Sequence, residues 1–283
     1  MPVHPPAPSD LPGLVEAFAR TAQAVVDLGS TCAAADFDLP TDCPGWSVQD
    51  QISHVASVEC WLEGAPVEQL DLPDLPHVRH RFGRIVEMGV AARRDRDGAD
   101  VVKELSDVLR LRLAHLRDPA LDPDSVVESP LGSRSAAALV ALRIKDIWCH
   151  EQDIRTALGR PGNLDSAAAA TFLSGVVDAL PELVATEAAV PVGHTVIIDC
   201  TGPVVARVGV RVVEGPDGTP APELLFSGTA TPHVEGPTTT IILNTEALTR
   251  RAAGRRSVAD LHYTVVGDED IARAVLEALP MTP

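Results

Sequence analysis

Several signals are missing from this 283-residue chain, and each absence removes a class of function. No apolar run approaches the roughly 20 residues needed to span a bilayer. The opening segment MPVHPPAPSD lacks the basic-then-apolar order of a secretory signal. Together these predict a soluble cytoplasmic protein with no membrane partner. Positive charge is short: 23 Lys+Arg stand against 40 Asp+Glu, a formal net charge of −17 that would repel a phosphate backbone. Nucleic acid is therefore not an expected partner. The five cysteines, Cys32, Cys43, Cys60, Cys149 and Cys200, are odd in number and form no CxxC pair, which excludes a disulfide framework or a thiolate zinc knuckle. There is no dinucleotide fingerprint, no G-x-S-x-G elbow, no phosphate-cradling glycine loop and no internal repeat.

What is present is apolar surface. Hydrophobic residues make up 45% of the chain, enough for a packed core, and the length suggests two ordinary domains. The proline-bearing residues 1–10 read as a flexible lead. Leu14, Phe18, Ala22, Val25 and Leu28 recur at spacings of three and four, which predicts a helix from Leu11 that Gly29 ends. Ser47, with Asp50 three residues on, caps a second helix to about Leu62. Residues 64–76 form a loop, and helical spacing returns from His77 to about Arg117, interrupted near Asp97-Gly98. After a polar loop at 118–130, Ser133 or Ser135 caps a helix running to Leu158, where Gly159 and Pro161 stop it. An alanine-rich helix covers about Asp165 to Glu187.

Beyond Pro191 the period changes from helical to alternating. His194–Cys200, Val204–Val213, Leu224–Phe226, Thr238–Leu243 and His262–Val266 read as strands. Short helices are expected at Glu246–Ala253 and Asp268–Leu279. The predicted class is α+β, with helices over residues 1–188 and a small α+β domain over 189–283.

The most informative side chains are His54, Asp146 and His150. Four residues along a helix turn through about 400° and climb about 6 Å, so Asp146 and His150 share one face and can converge on one point. A carboxylate and two imidazoles suit zinc, and a catalytic zinc commonly takes three protein ligands and keeps a fourth position open. His54, on the inner face of the second helix, can supply the third ligand. Asp-x-x-x-His also occurs as an ordinary helix pair. Asp153, three residues beyond His150, shares its face as a competing ligand or as an acceptor that fixes the imidazole tautomer. Glu151 points about 100° away and reads as solvated. Trp46 reads as a packing residue at the helix entrance, Trp61 and Trp148 as core, and Cys149 as a buried inert thiol. His77, His80, His115, His194, His233 and His262 are scattered and form no ligand pattern.

Two segments carry a more specific signal: Cys43-Pro-Gly-Trp-Ser-Val-Gln-Asp-Gln-Ile-Ser-His54, and Asp146-Ile-Trp-Cys-His150-Glu-Gln-Asp-Ile-Arg155-Thr-Ala-Leu-Gly159-Arg-Pro161. With Gly254-Arg255 and Val266-Gly267-Asp268 near the C-terminus, they make the chain resemble the mycothiol-dependent maleylpyruvate isomerase family of actinobacteria over nearly its whole length. The resemblance implies an N-terminal DinB-like four-helix bundle followed by a small sterol-carrier-like α+β domain. It also implies zinc, or another divalent metal, on His54, Asp146 and His150; the isomerase itself carries glutamate at the position of Asp146. The activity implied is activation of the thiol of mycothiol as cosubstrate for attack on a small electrophile. An S-transferase is ranked first and a cis–trans isomerase second, with a non-enzymatic metal- or ligand-binding module as a third reading. Arg255 is implied as a clamp on an anionic substrate, since its planar fork matches a carboxylate. Arg155, one turn beyond His150, either contacts the cofactor or pairs with Asp153 or Glu151. A monomer or a homodimer is expected.

Overall fold

The structure, a computed structural model, describes residues 3–226 and 236–281, so His233 lies outside the described residues. The chain divides into two compact units, Pro8–Gly162 and Asn163–Pro283 with Met1–Ala7.

The first unit contains α1 (Leu11–Ser30), α2 (Val48–Leu62), α3 (Arg81–Ala91), α4 (Gly98–Leu116) and α5 (Ala136–Ala157). Helices α1, α2, α4 and α5 pack on one another as a four-helix bundle, and α3 lies on α2. Local chemistry sets each start. Asp10 accepts from the Gly13 amide, Asp97 from Ala99, and Ser135 from Ala138. Ser47 and Asp50 form a reciprocal capping box at α2, satisfying two amides that the first turn leaves unpaired. Of the two serines expected to start the last bundle helix, Ser135 does so. The helical stretch from His77 splits at the foreseen place because Asp97 caps a new helix there. Gly29 has a packing reason of its own. A Cβ there would sit 2.5 Å from Val102 Cγ2, so its absence lets α1 and α4 approach closely. The loop expected at 118–130 holds a two-residue strand, β1 (Val126–Val127), antiparallel to β2 (Arg134–Ser135).

The second unit begins with α6 (Ala167–Ala185). It continues with β3 (Thr195–Thr201), β4 (Ala206–Glu214), β5 (Pro220–Leu225), β6 (Thr238–Asn244), α7 (Thr245–Ala252), β7 (Tyr263–Val266) and α8 (Glu269–Ala278). The strands form one sheet in the order β5-β4-β3-β6-β7, with β3 and β6 parallel and the other pairs antiparallel. Val196, Ile198 and Cys200 alternate with less buried neighbours along β3, the period that places one face of a sheet in a core.

By its contacts the chain divides at Gly162/Asn163, whereas the sequence reading put the domain boundary near residue 188; α6, with Leu173, Val176, Leu180 and Leu183 buried, packs on β4 and β5. The stop signal at Gly159 and Pro161 marks that division as well as a helix end. The lead is not a free segment: Val3 is 7% exposed, and His4 exchanges backbone hydrogen bonds of 2.9 and 2.8 Å with Val205. Among the described residues α6 alone is long and apolar enough to cross a membrane by length and composition, and 56% of that stretch is buried in the fold.

Candidate metal centre

Helices α2 and α5 share a face in which polar side chains are buried. From Val48 to Glu59 every residue of α2 is buried, including Gln51, His54 and Glu59; from Ile147 to Ile154 the same holds for α5. Burying polar groups is unfavourable unless they are paired, so their partners define what this face is for.

His54 comes from α2, and Asp146 and His150 lie one turn apart on α5. One ligand atom from each lies within 4.8 Å of the others. His54 Nε2 is 3.2 Å from Asp146 Oδ2, and His150 Nε2 is 3.6 Å from Asp146 Oδ1. Donors held tetrahedrally at zinc distances of about 2.1 Å stand about 3.4 Å apart, and these two separations bracket that value. His54 Nδ1 is buried with no hydrogen-bond partner among the described residues. The donor set and its spacing thus fit a divalent ion. The His54 and His150 side chains are 7% and 8% exposed while that of Asp146 is 30% exposed, so the cluster opens at the carboxylate.

Electrostatics keep Asp146 and His54 in binding form. Burial alone would raise the Asp146 carboxyl, but the Arg143 guanidinium at 2.7 Å, with His54 and His150, holds it well below the ordinary carboxylate range. Burial, only partly opposed by Asp146, lowers His54 to about 4, so its imidazole is neutral at pH 7. Arg143 also meets Glu59 Oε1 at 2.7 Å, and Glu59 Oε2 takes Arg112 at 2.9 Å. Arg112 reaches Glu63 at 3.1 Å, extending a buried chain of alternating charge away from Asp146.

Trp46 and Glu151 lie where the sequence did not place them. Trp46 is more than a packing residue at a helix entrance: its ring lies 5.1 Å from that of His54 and 5.7 Å from that of His150. Its indole N–H donates to the buried Glu87 at 2.8 Å. The tight turn ahead of α2, with Gly45 at φ +80, carries the indole there. Glu151 is fully buried and binds Arg155 at 2.7 Å, since α5 packs on both α1 and α2. Arg155 also donates to the Arg160 carbonyl at 3.3 Å. The acceptor nearest His150 Nδ1 is Gln51 Oε1 at 2.5 Å, with Asp153 at 3.7 Å. Arg255 belongs to the second unit, where its Nη1 donates to the Ala253 carbonyl at 3.0 Å. Gln51, Arg143 and Glu59 were missed by sequence reasoning. The available signal was polarity on a core-facing stripe: Gln51 stands one turn before His54 and Arg143 one turn before Asp146.

A helical bundle that brings two histidines and an aspartate to one point, fused to a small α+β unit, defines the class. The chain belongs to the family described as mycothiol maleylpyruvate isomerase N-terminal domain, whose model matches residues 7–155. Two crystal structures of the mycothiol-dependent maleylpyruvate isomerase, one of a histidine-to-alanine mutant, share its fold, with TM-scores of 0.51 and 0.53, the mutant having the higher. Each is 14% identical and covers 90% of this chain and 93% of its own. No curated protein matches the chain.

Proposed function

We propose that this protein is a metal-dependent enzyme that activates the thiol of mycothiol for attack on a small electrophile. His54, Asp146 and His150 would hold a divalent ion such as zinc. The observation that carries the reading is the convergence of these three ligand atoms within 4.8 Å, with Asp146 the most exposed of the three side chains. Family membership and the mycothiol dependence of the structural neighbours support it. A free thiol titrates near pH 8.5, so only a few per cent is thiolate at neutral pH. When bound, the ion supplies the Lewis acidity that brings a thiol's pKa into the working range. The protein's own part is to keep Asp146 ionised through Arg143 and His54 neutral through burial, and to set the Trp46 indole beside both imidazoles.

Two outcomes share this nucleophile. In a cis–trans isomerase the thiolate adds to a double bond, the resulting single bond rotates and the thiolate leaves; in an S-transferase the adduct is kept. The activity of the neighbours favours isomerisation. S-transfer to an uncharged electrophile is favoured by a different observation: Arg143, Arg112 and Arg94 are each bound to carboxylates. For an anionic substrate the family resemblance implies Arg255 as the clamp. Five cysteines with no disulfide among them fit the reducing cytoplasm in which such a thiol cosubstrate is found.

Zinc analysis with a mycothiol assay on maleylpyruvate and a panel of electrophiles tests this. His54→Ala and His150→Ala should lose both bound zinc and thiol-dependent turnover, and full turnover by metal-stripped protein would refute the proposal. Recovered mycothiol with isomerised substrate marks an isomerase, and a stable thioether marks a transferase.

A further inference from the structure

Gln51 is fully buried, so its amide cannot turn to water. Its orientation follows from its far side. The Gln51 Nε2 group donates to Thr41 Oγ1 at 2.7 Å, and the Thr41 hydroxyl faces two carbonyl acceptors, that of Trp46 at 2.8 Å and that of Cys43 at 3.5 Å. A hydroxyl whose proton is committed can only accept. The amide NH2 therefore faces Thr41 and the carbonyl faces His150. An oxygen acceptor 2.5 Å from His150 Nδ1 requires that this nitrogen carry the hydrogen. The lone pair then sits on Nε2, the nitrogen turned toward Asp146.

We propose that Gln51 is a positioning residue of the metal centre: it fixes His150 as the tautomer whose Nε2 ligates, and through Thr41 it ties that choice to the turn carrying Trp46. The inference rests on the metal-ligand reading of His54, Asp146 and His150. Thr41 completes the link by accepting the Cys43 amide at 3.3 Å, while its own amide donates to the Trp46 carbonyl at 3.1 Å. Histidine ligands are commonly oriented by such a partner, and removing one typically lowers metal affinity about 10–100-fold.

The test compares the full chain with Gln51→Met, of similar size but with no comparable acceptor, and Gln51→Glu, which keeps one. Zinc affinity is read by competition with a chromophoric chelator, and the His150 tautomer by long-range proton–nitrogen NMR of the zinc-loaded protein. Gln51→Met should bind zinc about 10–100-fold more weakly, while Gln51→Glu stays within a few-fold of the unmodified chain. The unmodified chain should show a protonated Nδ1 and a zinc-bound Nε2, a readout that needs no variant to fold. A merely structural role would lower the melting temperature of metal-free Gln51→Met and leave zinc affinity intact. Equal affinity in Gln51→Met, or zinc on Nδ1, overturns the inference alone; an unmodified chain that holds no zinc overturns the metal reading and this inference with it.

Discussion

Arg143→Met removes a guanidinium that is 2% exposed and bonded at 2.7 Å to both Glu59 and Asp146. The two carboxylates it would leave are not equivalent. Glu59 is fully buried but keeps Arg112 at 2.9 Å; Asp146 loses its nearest arginine, yet its side chain is 30% exposed and can draw on water. Breaking a buried pair by deleting one partner costs about 3–5 kcal/mol. The remaining arginine and the available water place this variant at the lower end, about 3 kcal/mol. In a unit of this size that corresponds to a melting temperature lower by about 6–12 °C. Urea and thermal unfolding of the metal-free protein measure it, with Glu59→Gln and the double variant completing a cycle whose coupling should reach about 0.5–3 kcal/mol. Lys103→Met is the control: its pair with Asp107 is 75% exposed on the lysine side, and its loss should leave the melting temperature unchanged. A loss below about 1 kcal/mol for Arg143→Met, the value of an exposed pair, would refute the account of the buried charge chain.

Two further expectations concern stability. Because burial lowers His54 from 6.5 to about 4, the unfolded chain takes up its proton more readily than the folded one. This contribution is fully present above pH 6.5 and is lost as pH falls toward 4, by about 3 kcal/mol at most. Metal-free His54→Gln should lack that part of the acid slope in urea midpoints, and identical slopes would contradict the assignment. Gly29→Ala places a Cβ 2.5 Å from Val102 Cγ2 and 3.1 Å from Ile52 Cδ1, overpacking expected to destabilise by about 1–3 kcal/mol. Adding Val102→Ala should recover part of it in urea unfolding; a neutral Gly29→Ala would mean that α1 and α4 are less closely set.

Much of this architecture follows from neighbours in the chain, and so could be read without a fold. Helix starts depend on a side chain reaching an amide two or three residues on, as Asp10, Ser47 and Ser135 do. The strands after Pro191 follow from alternation, and β3 and β6 appear within a residue or two of the expected spans. The pairing of Asp146 with His150 is a property of one helix, since a four-residue spacing stacks two side chains whatever surrounds them.

What only the tertiary structure decided depends on how one helix is rotated and set against another. His54 joins Asp146 across 92 residues, and Gln51 finds His150 across 99; neither contact has a local cause. Asp153 had the right spacing to orient His150, yet Gln51 on the facing helix comes closer by more than an ångström. The same reason explains Glu151, Trp46 and α6. Helical periodicity says which residues share a face but not what that face meets, and so it left open whether Glu151 meets water or a neighbouring helix, and whether α6 covers the bundle or the sheet.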